Sequence, residues 1–292
     1  VLRRFSVRMA EIQVSDLLCP SATRAMPDTN VIGVLTQLRL NAERARLLAR
    51  RYPHELLMER RIQEGAAGTR SRYAYGDTIV VPSETDWKYA PGNLVIPDYS
   101  FGEALPAELL VLPQLEHFAD SLFQATHCFR YAGMATKSGR GMIRVDVEPA
   151  PNLKVADVQG SLYLDPDGFQ LRYSALRYQH RAGAGFWDIA METWFEERVA
   201  GLPMIARVSG RTSYRSSRDD RSAVVVQSED QRVLDVRFVG ASPGMIARAA
   251  PTRATSGSAA ALAPGAAAPA AVASASPFLT AFPAVARQSD VL

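Results

Sequence analysis

Lysine is nearly absent: Lys88, Lys137 and Lys154 are the three in 292 residues, so almost all of the 33 basic side chains are arginine. Cysteine is as scarce, with only Cys19 and Cys128. Two cysteines so far apart exclude the paired ligands of a structural zinc site and the crowded bridges of a disulfide scaffold. The charge imbalance is small. A net +3, even with a pI near 9.0, is no electrostatic footprint for nucleic acid. No apolar run of 18 residues lies outside the C-terminal tail, so no helix is expected to span a membrane. Two sequence signatures of local chemistry are missing too: there is no His-x-x-Glu of a zinc peptidase and no paired-glycine phosphate loop. There is also no basic, apolar and small-residue leader. The chain opens on Val1-Leu2-Arg3-Arg4-Phe5, which reads as the middle of a strand, so a fragment or a processed form is expected.

What is present is strand pattern. In Gly141–Tyr178, Ile143, Val145 and Val147 alternate with Arg144, Asp146 and Glu148, the period of a strand with one buried face. Val158, Gly160, Leu162 and Leu164 alternate with Gln159, Ser161, Tyr163 and Asp165. Asp165-Pro166-Asp167-Gly168 supplies turn chemistry. A third strand follows, with Leu171, Tyr173 and Ala175 expected on one face. The centre is therefore an antiparallel meander.

Around it the chain divides into three. Residues 1–26 read as the end of an upstream domain and a connector. Residues 27–240 carry the fold. Asp28 is the expected cap of a helix to Tyr52, with Val31, Val34, Leu35, Leu38, Ala42 and Ala45 on one stripe and Arg39, Glu43, Arg46 and Arg50 opposite. Pro53 forbids its continuation. Strands are expected at 54–63, in a hairpin of 69–75 with 78–81 about Gly76-Asp77, and at 94–96. A short helix within 112–125 puts Leu115, Phe118, Ala119 and Leu122 on one face. After it come a strand from His127, the meander, and a strand with Trp187, Ile189, Met191 and Phe195 on one face and Trp194 on the other. A strand at 202–214 follows, and a hairpin pairs 223–226 with Leu234, Val236 and Phe238. Residues 241–292 form an Ala/Pro-rich tail, uncharged from Ala254 to Ala286 and expected to be disordered. The expected fold class is α+β, mainly antiparallel β: a curled sheet of about eight or nine strands packed around one long amphipathic helix.

Candidate chemistry is thin. His127 and Cys128 are neighbours on a strand and point to opposite faces, so they do not form a nucleophile–base pair. His117 and His127 have no metal-ligand spacing, and 165–168 lacks the distal acids of a calcium loop. The basic run Arg207–Arg221 is interrupted by Asp219 and Asp220 and reads as a solvated loop. No catalytic residue, metal ligand or cofactor is assigned. A concave apolar face under the helix would hold a ligand at Leu35, Leu38, Trp187, Met191 and Phe195.

Four blocks in order carry a resemblance: Trp87-x-Tyr89-x-Pro91-Gly92-x-x-Val95, Leu112-Pro113-x-Leu115-x-x-Phe118-Ala119, Phe123-x-x-x-His127-Cys128-Phe129, and Ala156-Asp157-Val158-x-Gly160-x-Leu162-x-Leu164-Asp165. Together they resemble exported bacterial carboxypeptidase regulatory-like domain-containing proteins over about Cys19–Tyr178. The name denotes an accessory domain, not a peptidase. The resemblance implies a periplasmic or secreted envelope module. It also favours a Cys19–Cys128 disulfide over the two separate buried thiols that the spacing alone equally allows. By analogy the inferred shape is that of lipoprotein carriers. The reading is of a non-enzymatic envelope module that binds or supports, with a lipid or apolar ligand, or an envelope protein, as partner. The rivals are an envelope hydrolase with scattered catalytic residues and a pure interaction scaffold.

Overall fold

The computed structural model describes residues 29–66, 73–83, 88–98, 107–110, 113–182, 185–215 and 224–240. The expected upstream connector, the Asp28 cap, Cys19 and the tail lie outside them.

Helix α1 (Thr29–Arg51) comes first, and Pro53 ends it as expected. Strands β1 (His54–Ala66), β2 (Tyr73–Pro82), β3 (Val95–Asp98) and β4 (Ala107–Leu110) follow. Two short helices, α2 (Leu115–Ala119) and α3 (Ser121–Thr126), lead into β5 (His127–Lys137) and β6 (Arg140–Pro149). The chain closes with β7 (Gln159–Leu164), β8 (Leu171–Ala182), β9 (Gly185–Val199), β10 (Leu202–Arg215) and β11 (Val225–Phe238). Nine strands form one antiparallel sheet in the order β2-β1-β11-β10-β9-β8-β7-β6-β5, and β3 and β4 pair by themselves. The expected class holds: α+β, with a curled nine-stranded antiparallel sheet and one long helix.

Interruptions of register at Leu57/Met58, Tyr131/Gly133, Tyr163/Leu164 and Ile205/Arg207 bend the strands, as bulges do. The inner face carries the core. Val31, Val34, Leu35, Leu38 and Ala42 of α1 bury against Leu56, Met58, Val145, Leu162, Met191 and Phe195, among others. Helix α1 is pinned at its side by Asn41, whose amide donates to the carbonyls of Gly168 (2.9 Å) and Phe169 (3.0 Å), and by Arg39, which donates to Gln124 at 2.6 Å.

Four local expectations are corrected. Gly76-Asp77 is not a turn: β2 runs through it, because Asp77 lies opposite Arg60 on β1 and accepts its guanidinium. The segment 112–125 is two helices, since Asp120 ends α2 and caps α3, accepting from Leu122 N–H at 2.8 Å. Leu122 is consequently exposed. On β8, Leu171 pairs with Leu164 but Tyr173 pairs with Tyr163, so the bulge at Arg172 turns Tyr173 and Ala175 to the outer face. There Tyr173 is covered by Trp194, Tyr163 and Lys137, whose ammonium lies 4.2 Å from the ring centroid. Lastly, the C-terminal hairpin is one strand, β11, paired with β1 on one side and β10 on the other. Its polar centre, Gln227, Glu229 and Gln231, faces inward and is buried, and Leu234 bulges outward at 49% exposure.

That inward polar layer carries a prediction. Thr212 is fully buried, and its hydroxyl has no hydrogen-bond partner among the described residues. Replacing a stranded polar group by an apolar one of the same shape removes a cost of about 1–3 kcal/mol. Thr212→Val is therefore expected to raise the urea midpoint or leave it unchanged. A loss of more than about 1 kcal/mol would mean the hydroxyl is bonded.

Candidate functional site

Strands β10 and β11 diverge. Their paired register runs from Tyr214↔Val225 to Arg207↔Arg232 and stops there. Strand β10 begins earlier, at Leu202, and β11 continues to Phe238. Residues 202–206 pair outward with β9, and 233–238 pair outward with β1, but not with each other. The sheet is forked at the end where α1 lies.

A groove of about 480 Å³ occupies the fork. Its lining combines Met204, Ile205, Ala206, Val233 and Val236 with Trp194, and its rim carries Glu196, Arg198, Arg207 and Arg232. The register tells which side each residue comes from. Ile205 lies opposite Phe195, Val233 opposite Met58 and Val236 opposite Leu56, all inner-face partners. Trp194, Arg207 and Arg232 share the outer face. The groove therefore begins on the outer surface and reaches side chains that pack with the helix-covered core. Its size falls within the range of small-ligand sites, about 300–1,000 Å³. Trp194, predicted on the opposite face from Phe195, is there, half-buried between Tyr173 and the Arg207 guanidinium, 5.1 Å from its ring.

A second groove of about 420 Å³, lined by Glu59, Arg61, Gln63, Ser228, Asp230 and Gln231, meets the first at Arg207 and Arg232. The residues lining it are polar or charged, and their aliphatic stems supply about half of its surface.

Of the ligand residues expected from sequence, Leu35, Leu38, Met191 and Phe195 gather in one buried cluster between α1 and the sheet. The Trp187 side chain lies outside what is described. The fork residues were missed by sequence reasoning. The signal was a slip in alternation: a polar Gln231 holds an inner-face position, and the apolar residues that follow, Val233, Val236 and Phe238, skip a register.

The motif blocks converge elsewhere. Asp157, fully buried, accepts from Tyr89 O–H at 2.8 Å, Gly92 N–H at 3.0 Å and Val158 N–H at 2.8 Å. The His127 Nε2 lies 3.9 Å from the same carboxylate, its Nδ1 is 3.0 Å from the Phe123 carbonyl, and its ring stacks on Phe123. Tyr, His and Asp side by side invite a catalytic reading. Both His127 and Asp157 side chains are inaccessible to solvent, however, and no substrate reaches them in this arrangement. The cluster ties the 88–94 segment and the loop residues 157–158 leading into β7 to α3 and β5. Among the described residues no three His, Cys, Asp or Glu side chains gather as metal ligands. Cys128 is buried and is not a free thiol; its expected partner Cys19 lies outside the described residues.

Three of the four histidines are buried. Burial pushes His117 down to about 3, and lowers His54 and His127, the latter against the opposing pull of Asp157. A histidine held neutral on folding contributes stability that is complete above its unfolded value, about 6.5, and is lost as pH falls. Stability is expected to drop below pH 6.5 by up to ~1.4 kcal/mol per pH unit per histidine. Urea midpoints between pH 7 and 4 check this, and His117→Gln should flatten the slope. Equal slopes in the two proteins would contradict it.

No family model matches the chain, and neither does any curated protein, so the motif resemblance to carboxypeptidase regulatory-like proteins gains no support from either. Three solved structures are similar at low scores. A putative outer membrane lipoprotein-sorting protein domain from Vibrio parahaemolyticus has 10% identity and TM-score 0.32, covering 71% of this chain and 98% of that one. A DUF1329 family protein from Desulfovibrio piger has 8% identity and TM-score 0.32, covering 73% and 96%. A LolA superfamily protein from Nitrosomonas europaea has 10% identity and TM-score 0.29, again covering 73% and 96%. Scores this low assign neither family nor activity. What defines the class of this protein is its own geometry: a helix-covered, curled antiparallel sheet with a forked end.

Proposed function

We propose that the chain is a non-enzymatic module of the bacterial cell envelope that holds an apolar ligand, a lipid, with the fork between β10 and β11 as the mouth. The single observation that carries this reading is the groove itself. It opens on the outer surface, and its floor residues Met204 and Ile205 belong to the same buried cluster as Leu35, Leu38, Met191 and Phe195, which do not themselves line it. Burial of an acyl chain there would contribute about 0.8 kcal/mol per methylene.

Periplasmic or secreted placement rests on the motif resemblance, and the Cys19–Cys128 bridge belongs to the same reading. A non-reducing peptide map joining the two cysteines supports it, and two alkylatable thiols refute it. The rival scaffold reading has its own observation: the facing edges of 202–206 and 233–238 are not paired with each other and would suit an added strand. The hydrolase reading has the buried His127–Asp157 pair, and only loss of a measured activity in His127→Gln would support it.

The experiment is titration with N-phenylnaphthylamine, an apolar dye that fluoresces on leaving water. Wild type should bind saturably. Val236→Lys, which puts a charge into the groove, should bind at least tenfold more weakly. Leu234→Lys, on the exposed bulge outside the groove, should bind normally. No saturable binding, or equal binding by all three proteins, would overturn the reading.

A further inference from the structure

Resting on the ligand-binding reading, we infer that the ligand is an anionic amphiphile whose charged head sits on Arg207 and Arg232. The two guanidinium-bearing residues lie directly opposite each other on adjacent strands and on the same face. Like charges in that position oppose sheet pairing. The neighbouring carboxylates do not cancel the conflict. Asp230 holds Arg207 at 3.0 Å, Glu59, across from Arg232 on β1, is bonded to Arg61 at 2.8 Å, and Glu196 lies 3.9 Å from Arg198. No carboxylate among the described residues forms an ion pair with Arg232. A positive charge is left over where two grooves meet.

Those two grooves are lined by different types of residue. One is floored by Met204, Ile205, Val233 and Val236 and suits a hydrocarbon chain; the other is lined by polar and charged residues and suits the remainder of a head group. Arg207 and Arg232 line both. A molecule with a chain, an anion and a polar extension, in that order, matches the sequence of surfaces along the fork. The Arg207 guanidinium lies over the Trp194 ring, 5.1 Å from its centroid, and donates to Asp230 at 3.0 Å. Both contacts hold it at the junction where a carboxylate or phosphate could share its remaining donors. Trp194 in turn forms one wall of the chain groove and reports on its occupancy.

Chain-matched probes separate the parts of the claim. Dodecanoate, dodecyl phosphate, dodecanol and inorganic phosphate would be titrated into wild type, Arg232→Gln and Arg207→Gln, reading tryptophan fluorescence and calorimetry. The two anionic chains are expected to bind about tenfold or more tightly than dodecanol. Arg232→Gln, an exposed substitution, should lose that factor for the anions and leave dodecanol unchanged. Which of carboxylate and phosphate binds tighter distinguishes a free fatty acid from a phosphate-headed lipid. Equal affinity for dodecanol and dodecanoate would overturn the head-group site while leaving an apolar-ligand module. Phosphate binding as tightly as dodecyl phosphate would reduce the site to an anion patch and overturn the amphiphile. No binding of any chain would remove the ligand reading itself.

Discussion

Gly160→Ala should leave little folded protein. Gly160 sits at φ +154 on β7, opposite Leu176 on β8 and Val147 on β6. A Cβ there would run into the Ala175 carbonyl oxygen and stand 2.9 Å from the Leu176 Cα. Both are backbone atoms of the neighbouring strand, so no side-chain rotation relieves the clash, and β7 must move away from β8. The cost spreads because β7 joins β5 and β6 to the rest of the sheet. Losses above about 4 kcal/mol belong to this short list of mechanisms, and for a domain of this size they lower Tm by roughly 8–16 °C. Serine at the same position should fail equally. A midpoint within a few degrees of wild type would show that β7 and β8 are spaced more widely than described.

The second large effect falls on Asp157. Its carboxylate accepts from Tyr89 O–H, Gly92 N–H and Val158 N–H. Asp157→Ala strands all three donors in a buried site and removes the charge facing His127. Breaking such a network costs about 3–5 kcal/mol. Asp157→Asn keeps one accepting oxygen and should cost less. Tyr89→Phe removes a single donor, whose hydroxyl is also 3.1 Å from Thr126, and should cost about 1 kcal/mol. A double-mutant cycle in urea would find Tyr89 and Asp157 coupled. Additive losses would mean the buried bonds act independently, against the account of one lock.

These two residues show how far sequence alone reaches. Tyr89, His127 and Asp157 stand in three of the motif blocks quoted above and meet in one buried junction, while Gly160, in the fourth block with Asp157, sits where β8 passes close to β7. Helix α1 and the meander were legible because 3.6- and 2-residue periods survive wherever one face is buried. What was not legible depended on irregularity. A single extra residue at Arg172 turned Tyr173 outward, and another at Leu234 reset β11. Inward-facing Gln227, Glu229 and Gln231 imitated a turn, since polar residues on a buried face break the alternation that marks a strand. The fork arises from the end of a pairing register between two strands, which no local pattern encodes. The residues expected to hold a ligand, Leu35, Leu38, Met191 and Phe195, do share one core, but the opening towards it is lined by others.

The central claim is that the forked sheet holds an apolar molecule. Native mass spectrometry of the protein purified from a bacterial envelope, followed by extraction of what it carries, tests this most directly. The account predicts a stoichiometric lipid adduct that is missing from folded Val236→Lys protein. Wild type emerging at the bare mass of the chain, from an envelope rich in lipid, would contradict it.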